Sequence, residues 1–61
     1  MIKIKVSYPI IGAINDIKLG ICKSYFIDWA LASGYSRSTA ENYWRKAKKL
    51  LRQNPQAQFE Y

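Results

Sequence analysis

The sequence contains no histidine and a single cysteine, Cys22. Zinc sites draw their ligands from sets of Cys and His, so a zinc-finger ligand set is excluded. One thiol cannot close an internal disulfide, and a catalytic cysteine would be without its usual imidazole base. Cys22 is therefore read as a small buried thiol. Acids are scarce as well. Asp16, Asp28, Glu41 and Glu60 show no paired spacing suited to general acid–base work, and no glycine-rich phosphate loop is present. No metal, cofactor or catalytic residue is expected. Long apolar runs are also missing: nothing approaches the ~20 residues of a membrane span. At the N-terminus Ile2, Ile4 and Val6 alternate with Lys3, Lys5 and Ser7, which is not the continuous apolar run of a signal peptide. The expectation is a cytoplasmic protein with no membrane partner.

What the chain has is positive charge and aromatic rings. Ten Lys and Arg against four acids give a formal charge of +6 over 61 residues, and 15% of residues are aromatic. A chain with this apolar content should fold, as one domain spanning residues 1–61. A domain of this size buries only about 60% of its unfolded surface. Deep active-site clefts need more scaffold, so no enzyme is expected. The charge points to an anionic partner, nucleic acid or a membrane surface.

Residues 2–7 alternate apolar and polar with β-branched residues on one side, as in a short strand whose outward lysines discourage edge pairing. Tyr8-Pro9 ends it. Residues 9–21 support two readings. Ile10, Ile14, Ile17 and Ile21 fall at helical spacing, and Pro9 suits a first helical turn. Against a helix, Gly12 and Gly20 each cost about 1 kcal/mol relative to Ala. Ile17, Leu19 and Ile21 also alternate, and Asn15-Asp16 could turn a hairpin.

From Lys23 the pattern is helical. Phe26, Ile27, Ala30 and Leu31 form one stripe with Trp29 beside it, and Ser24 is a candidate N-cap. Gly34 stands where a helix end calls for positive φ. Ser36 is a candidate N-cap for the next helix, with Thr39 as the alternative. That helix should run from Arg37 to Arg52 or Gln53. Ala40, Tyr43, Trp44, Ala47, Leu50 and Leu51 lie on one arc, while Ser38, Glu41, Asn42, Arg45, Lys49 and Arg52 lie opposite. Asn54-Pro55 stops it. Residues 54–61 are read as a polar C-terminal tail in which Phe59 and Tyr61 are candidates to pack on the body or to serve a partner.

The segment "FIDWALASGYSRSTAENYWR" resembles the helix-turn-helix of DNA-binding proteins. Ala30 is the small residue four positions before the turn glycine Gly34. Tyr35 follows the glycine, and Ala40 and Tyr43 stand at the inward positions of the second helix. A branched aliphatic is more usual at position 40, where Trp44 or Tyr43 would fill the space. More narrowly, "GYSRSTA" followed by "LLRQNP" looks like the corresponding region of phage terminase small subunits, and more loosely like excisionase-type proteins. Tyrosine-recombinase core-binding domains carry a similar Ser-x-x-Thr-Ala-x-x-Tyr run. The resemblance implies a helix-turn-helix over 23–53 and DNA handling in phage or mobile-element biology.

Six bases against Glu41 alone leave residues 37–52 with most of the net charge. Glu41 and Arg45 stand four apart, a spacing suited to a helical ion pair. On a recognition helix the first turns meet base edges and flanking groups hold phosphates. Arg37, Ser38, Glu41, Asn42 and Arg45 are therefore the candidates for base contacts. Ser36, Lys46, Lys48, Lys49 and Arg52 are the candidates for phosphate contacts. A membrane surface is a poorer match, because the apolar face is needed for the core. RNA is poorer too, because the rings fall on that same face rather than on an exposed platform.

The fold class expected is thus mainly α: a small helix-turn-helix domain with a short N-terminal β-strand. The expected partner is double-stranded DNA, with a homodimer or larger assembly to supply enough base contacts. The edge of residues 2–7 is one candidate dimer surface. The alternative is a small protein-interaction module that binds a phage or host protein through an exposed apolar patch.

Overall fold

Tyr8 and Pro9 open a helix, α1 (Tyr8–Lys18), which resolves residues 9–18 as helical and 19–21 as the helix exit in a computed structural model that describes residues 2–61. Ser7 is its N-cap in extended conformation, and Pro9 occupies the first turn, where its missing N–H has no helical partner to lose. Ile10, Ala13 and Ile14 turn inward and are buried. Gly12 sits inside the helix at a cost of about 1 kcal/mol, which the burial of two isoleucines at roughly 1.5–3 kcal/mol each outweighs.

The helix ends at a Schellman closure. Gly20 takes φ 77°, its N–H donates to Ile17 O, and the Ile21 N–H donates to Asp16 O. The apparent alternation of Ile17, Leu19 and Ile21 therefore reflects a helix C-terminus and its exit, not a strand.

Helix α2 (Lys23–Ala32) begins one position before the expected cap. Cys22, not Ser24, is the N-cap, and it makes no side-chain cap bond. Its place on the turn leaves the thiol exposed, contrary to the buried thiol the sequence led us to expect. Phe26, Ile27 and Ala30 are buried. Leu31, assigned to the same stripe, is instead exposed, because at about 100° per residue it falls at the edge of the arc that Phe26, Ile27 and Ala30 bury. A second Schellman closure follows: Gly34 at φ 99°, its N–H on Leu31 O, and Tyr35 N–H on Ala30 O.

Helix α3 (Arg37–Gln53) starts from Ser36, whose hydroxyl accepts from the Thr39 N–H. Ala40, Trp44 and Ala47 are buried, with Tyr43, Leu50 and Leu51 packed against the core. The Trp44 and Phe26 rings pack with centroids 5.5 Å apart, in the same core as Ala40. Ala13, Ala30, Ala40 and Ala47 have no exposed surface, so each of the three helices offers a small residue at the core. Asn54 caps the C-terminus through its amide to Leu50 O, and the chain turns at Pro55.

The N-terminal strand, β1, is confined to Lys3–Lys5. The polar tail contains a second strand, β2 (Gln58–Glu60), which pairs with β1 in parallel after the three helices have made the crossover. The register sets Ile4 beside Phe59 and Lys5 beside Glu60. Phe59 packs on the core beneath the Lys18 ammonium, and Ala57 is buried. One edge of β1 is thus occupied within the chain. The outcome is a mainly α domain with a short N-terminal strand, and no described helix is long and apolar enough to cross a membrane.

Candidate nucleic-acid interface

Helical spacing along α3 sorts its polar residues into three rows. Ser38, Asn42, Arg45, Lys49 and Arg52 run along the outermost line, opposite the buried Ala40 and Ala47, and all five are exposed. Arg37, Glu41 and Lys48 lie on one flank, and Lys46 lies on the other. Two shallow depressions mark the outer line. One is bounded by Asn42, Arg45, Lys46 and Lys49, the other by Arg45, Lys48, Lys49 and Arg52. Arg45 and Lys49 belong to both.

Glu41 does not pair with Arg45. Its carboxylate accepts from the Lys23 ammonium at 3.2 Å, because the α2–α3 crossing places the first residue of α2 beside the second turn of α3. Arg45 instead reaches back to the Asn42 side-chain oxygen at 3.5 Å, the limit of a hydrogen bond. Lys23–Glu41 is the only ion pair among the described residues. Each of the six basic side chains of α3 therefore has no carboxylate within 4 Å. Their mutual repulsion is the field an anion would relieve.

Ser36 is committed to the helix start. Besides accepting from Thr39 N–H, its hydroxyl donates to Thr39 Oγ1 at 2.8 Å. The hydroxyl expected to contact phosphate is thus engaged within the chain, and the exposed Ser38 lies beside it with its own hydroxyl 3.5 Å from Ser36 Oγ. Arg37 stands with Lys23, Ser24, Asp28 and Glu41 around a cleft between the starts of α2 and α3. Trp29 and Tyr35 pack together at the corner, with ring centroids 6.3 Å apart, and Tyr35 meets Tyr43 edge-on.

Lys23 is the residue that sequence reasoning overlooked. A signal for it existed: Gly20-Ile21-Cys22-Lys23-Ser24 has the same order of residue types as Gly34-Tyr35-Ser36-Arg37-Ser38. Both stretches close one helix and start the next, so each delivers a cation to a helix N-terminus.

Comparison with protein-family models, curated proteins and solved structures finds no match to this chain.

Proposed function

We propose that the chain binds double-stranded DNA, with α2 and α3 acting as a helix-turn-helix and α3 as the helix that enters the major groove. The observation that carries this reading is the row of exposed, unpaired cations along α3, opened by a glycine corner. On this reading Ser38, Asn42 and Arg45 meet base edges. Arg forks onto guanine O6/N7 and Asn onto adenine N6/N7. Lys46, Lys49 and Arg52 hold phosphates, and Arg37 and Lys48 add contacts from the flank. Glu41 is held by Lys23 and serves to position the two helices. Two or more copies supply useful specificity, since a single module makes few base contacts. The resemblance of the GYSRSTA corner makes phage or mobile-element regulation the proposed setting, in the cytoplasm where such DNA resides.

The test is selection of bound duplexes from a random pool, followed by alanine variants on the preferred and a random duplex. Asn42→Ala and Arg45→Ala should each cost about 1–3 kcal/mol on the preferred site and less on random DNA. Lys48→Ala and Lys49→Ala should weaken both alike and reduce the salt slope by about one per contact. Equal losses on both duplexes for all four variants would reduce α3 to a non-specific electrostatic clamp.

A further inference from the structure

Ten lysines and arginines are spread over this small chain, yet none lines the groove between α1 and α2. Its walls are Tyr8, Asn15 and Asp16 from α1 with Tyr25 and Trp29 from α2, and Phe26 lies beneath. Tyr8 is 58% exposed, Tyr25 63% and Trp29 37%. The Tyr8 and Trp29 rings are 6.3 Å apart and tilted by 42°, so they do not cover each other face to face. Tyr61 meets Tyr8 edge-on from outside. The open groove offers about 380 Å³ of space, within the range of small-ligand sites.

Gly12 makes the groove open. It lies in the interior of a helix, where glycine is costly, and a Cβ there would meet nothing within 4 Å. Close packing therefore does not call for the glycine. Its missing side chain leaves room beside the rings.

Asp16 supplies the charge. Among the described residues no Lys or Arg nitrogen lies within 4 Å of its carboxylate, and burial pushes its carboxyl above the ordinary value. An unpaired acid in a chain of net charge +6 thus lines the same groove as rings whose faces are themselves attractive to cations.

We propose that this groove docks a partner protein through an arginine presented on the partner's surface, its guanidinium stacked on an exposed ring of the lining and its N–H groups donated to Asp16. Arginine fits better than lysine, because a planar guanidinium both stacks on rings and forks onto a carboxylate. A second copy is the poorer occupant on the proposed function, because its arginines, Arg37, Arg45 and Arg52, all stand on α3, the face that reading gives to DNA; no α3 residue lines the groove itself. The groove and the α3 face can therefore be occupied at once.

The probe is the peptide acetyl-Gly-Arg-Arg-Gly-amide, titrated into the whole protein and followed by NMR at the Trp29 indole N–H and the rings of Tyr8 and Tyr25. Its counterpart with citrulline, which keeps the shape and removes the charge, is the control. Saturable shifts with a dissociation constant of about 1–10 mM are expected for the arginine peptide and not for citrulline. Asp16→Asn and Gly12→Leu should each weaken the arginine peptide at least about fivefold. Gly12→Leu should at the same time raise the melting temperature, a pairing of opposite effects that a purely structural role for the glycine would not produce. Duplex-DNA affinity should be unchanged in both variants. Absence of shifts at these three rings, equal binding of citrulline, or indifference to both substitutions would overturn the proposal. Shifts of the same resonances with protein concentration alone would assign the groove to a second copy and overturn the partner.

Discussion

The two helix corners of this chain are built from the same backbone parts and deliver opposite surfaces. At each, a glycine with positive φ closes a Schellman motif, an apolar residue follows, and a cap residue in extended conformation starts the next helix. After Gly20 comes α2, which exposes Tyr25, Trp29 and Leu31. After Gly34 comes α3, whose outer face carries Arg45, Lys49 and Arg52. Corner geometry is thus a backbone property, and it says little about what the following helix presents. Side chains beyond the cap decide that α3 presents a row of cations and that α2 helps line an aromatic groove.

The strongest way to break this comparison is to attack both glycines. Gly20→Val and Gly34→Val should each lose about 1–2 kcal/mol in urea or thermal melts, because a β-branched residue resists the left-handed region. A Cβ at either position meets nothing within 4 Å, so the loss reports backbone strain without a packing term. A neutral substitution at one corner only would show that the two are not equivalent. Neutrality at Gly34 would remove the main support for helix-turn-helix geometry.

The caps sharpen the contrast. Ser36 makes the bond to Thr39 N–H that Cys22 does not make at its own helix. Ser36→Ala should cost about 1 kcal/mol. Cys22→Ala should leave the melt unchanged, and Cys22→Ser should raise the midpoint slightly. A loss at Cys22 equal to that at Ser36 would mean that side-chain capping is not what distinguishes the corners.

The smallest effect expected is at the Lys23–Glu41 pair, which joins the starts of the two following helices. Both side chains are well exposed, at 50% and 39%, so a double-mutant cycle should give a coupling of about 0.5 kcal/mol or less. Coupling well above that would make the ion pair, rather than the core of Phe26, Trp44 and the alanines, the element that fixes the crossing.

The second corner was legible in the sequence because its parts are local: Ala30, Gly34, Ser36 and the apolar arc of α3 all act within a few residues. The limits of α3 and the left-handed Gly34 followed from the same signals. The first corner was obscured because Gly12 and Gly20 pulled in different directions, one inside a helix and one at its end. Strand β2 left little trace, since three residues of a polar tail acquire strand form only through pairing with β1 across the whole chain. Glu41 illustrates the same limit within the candidate site. Its i,i+4 neighbour Arg45 was visible in the sequence, whereas Lys23, eighteen residues away, becomes its partner through the helix crossing. The six bases of α3 were all legible, and the row formed by Asn42, Arg45 and Lys49 follows from helical spacing alone.

Whether that row serves DNA is tested most directly by fluorescence anisotropy of the whole protein on a short duplex across a salt series. With about four to six of the basic groups on phosphates, log K should fall against log salt with a slope of roughly −4 to −5 per protomer. No detectable binding at ~50 mM salt, where phosphate contacts are strong, would contradict the account.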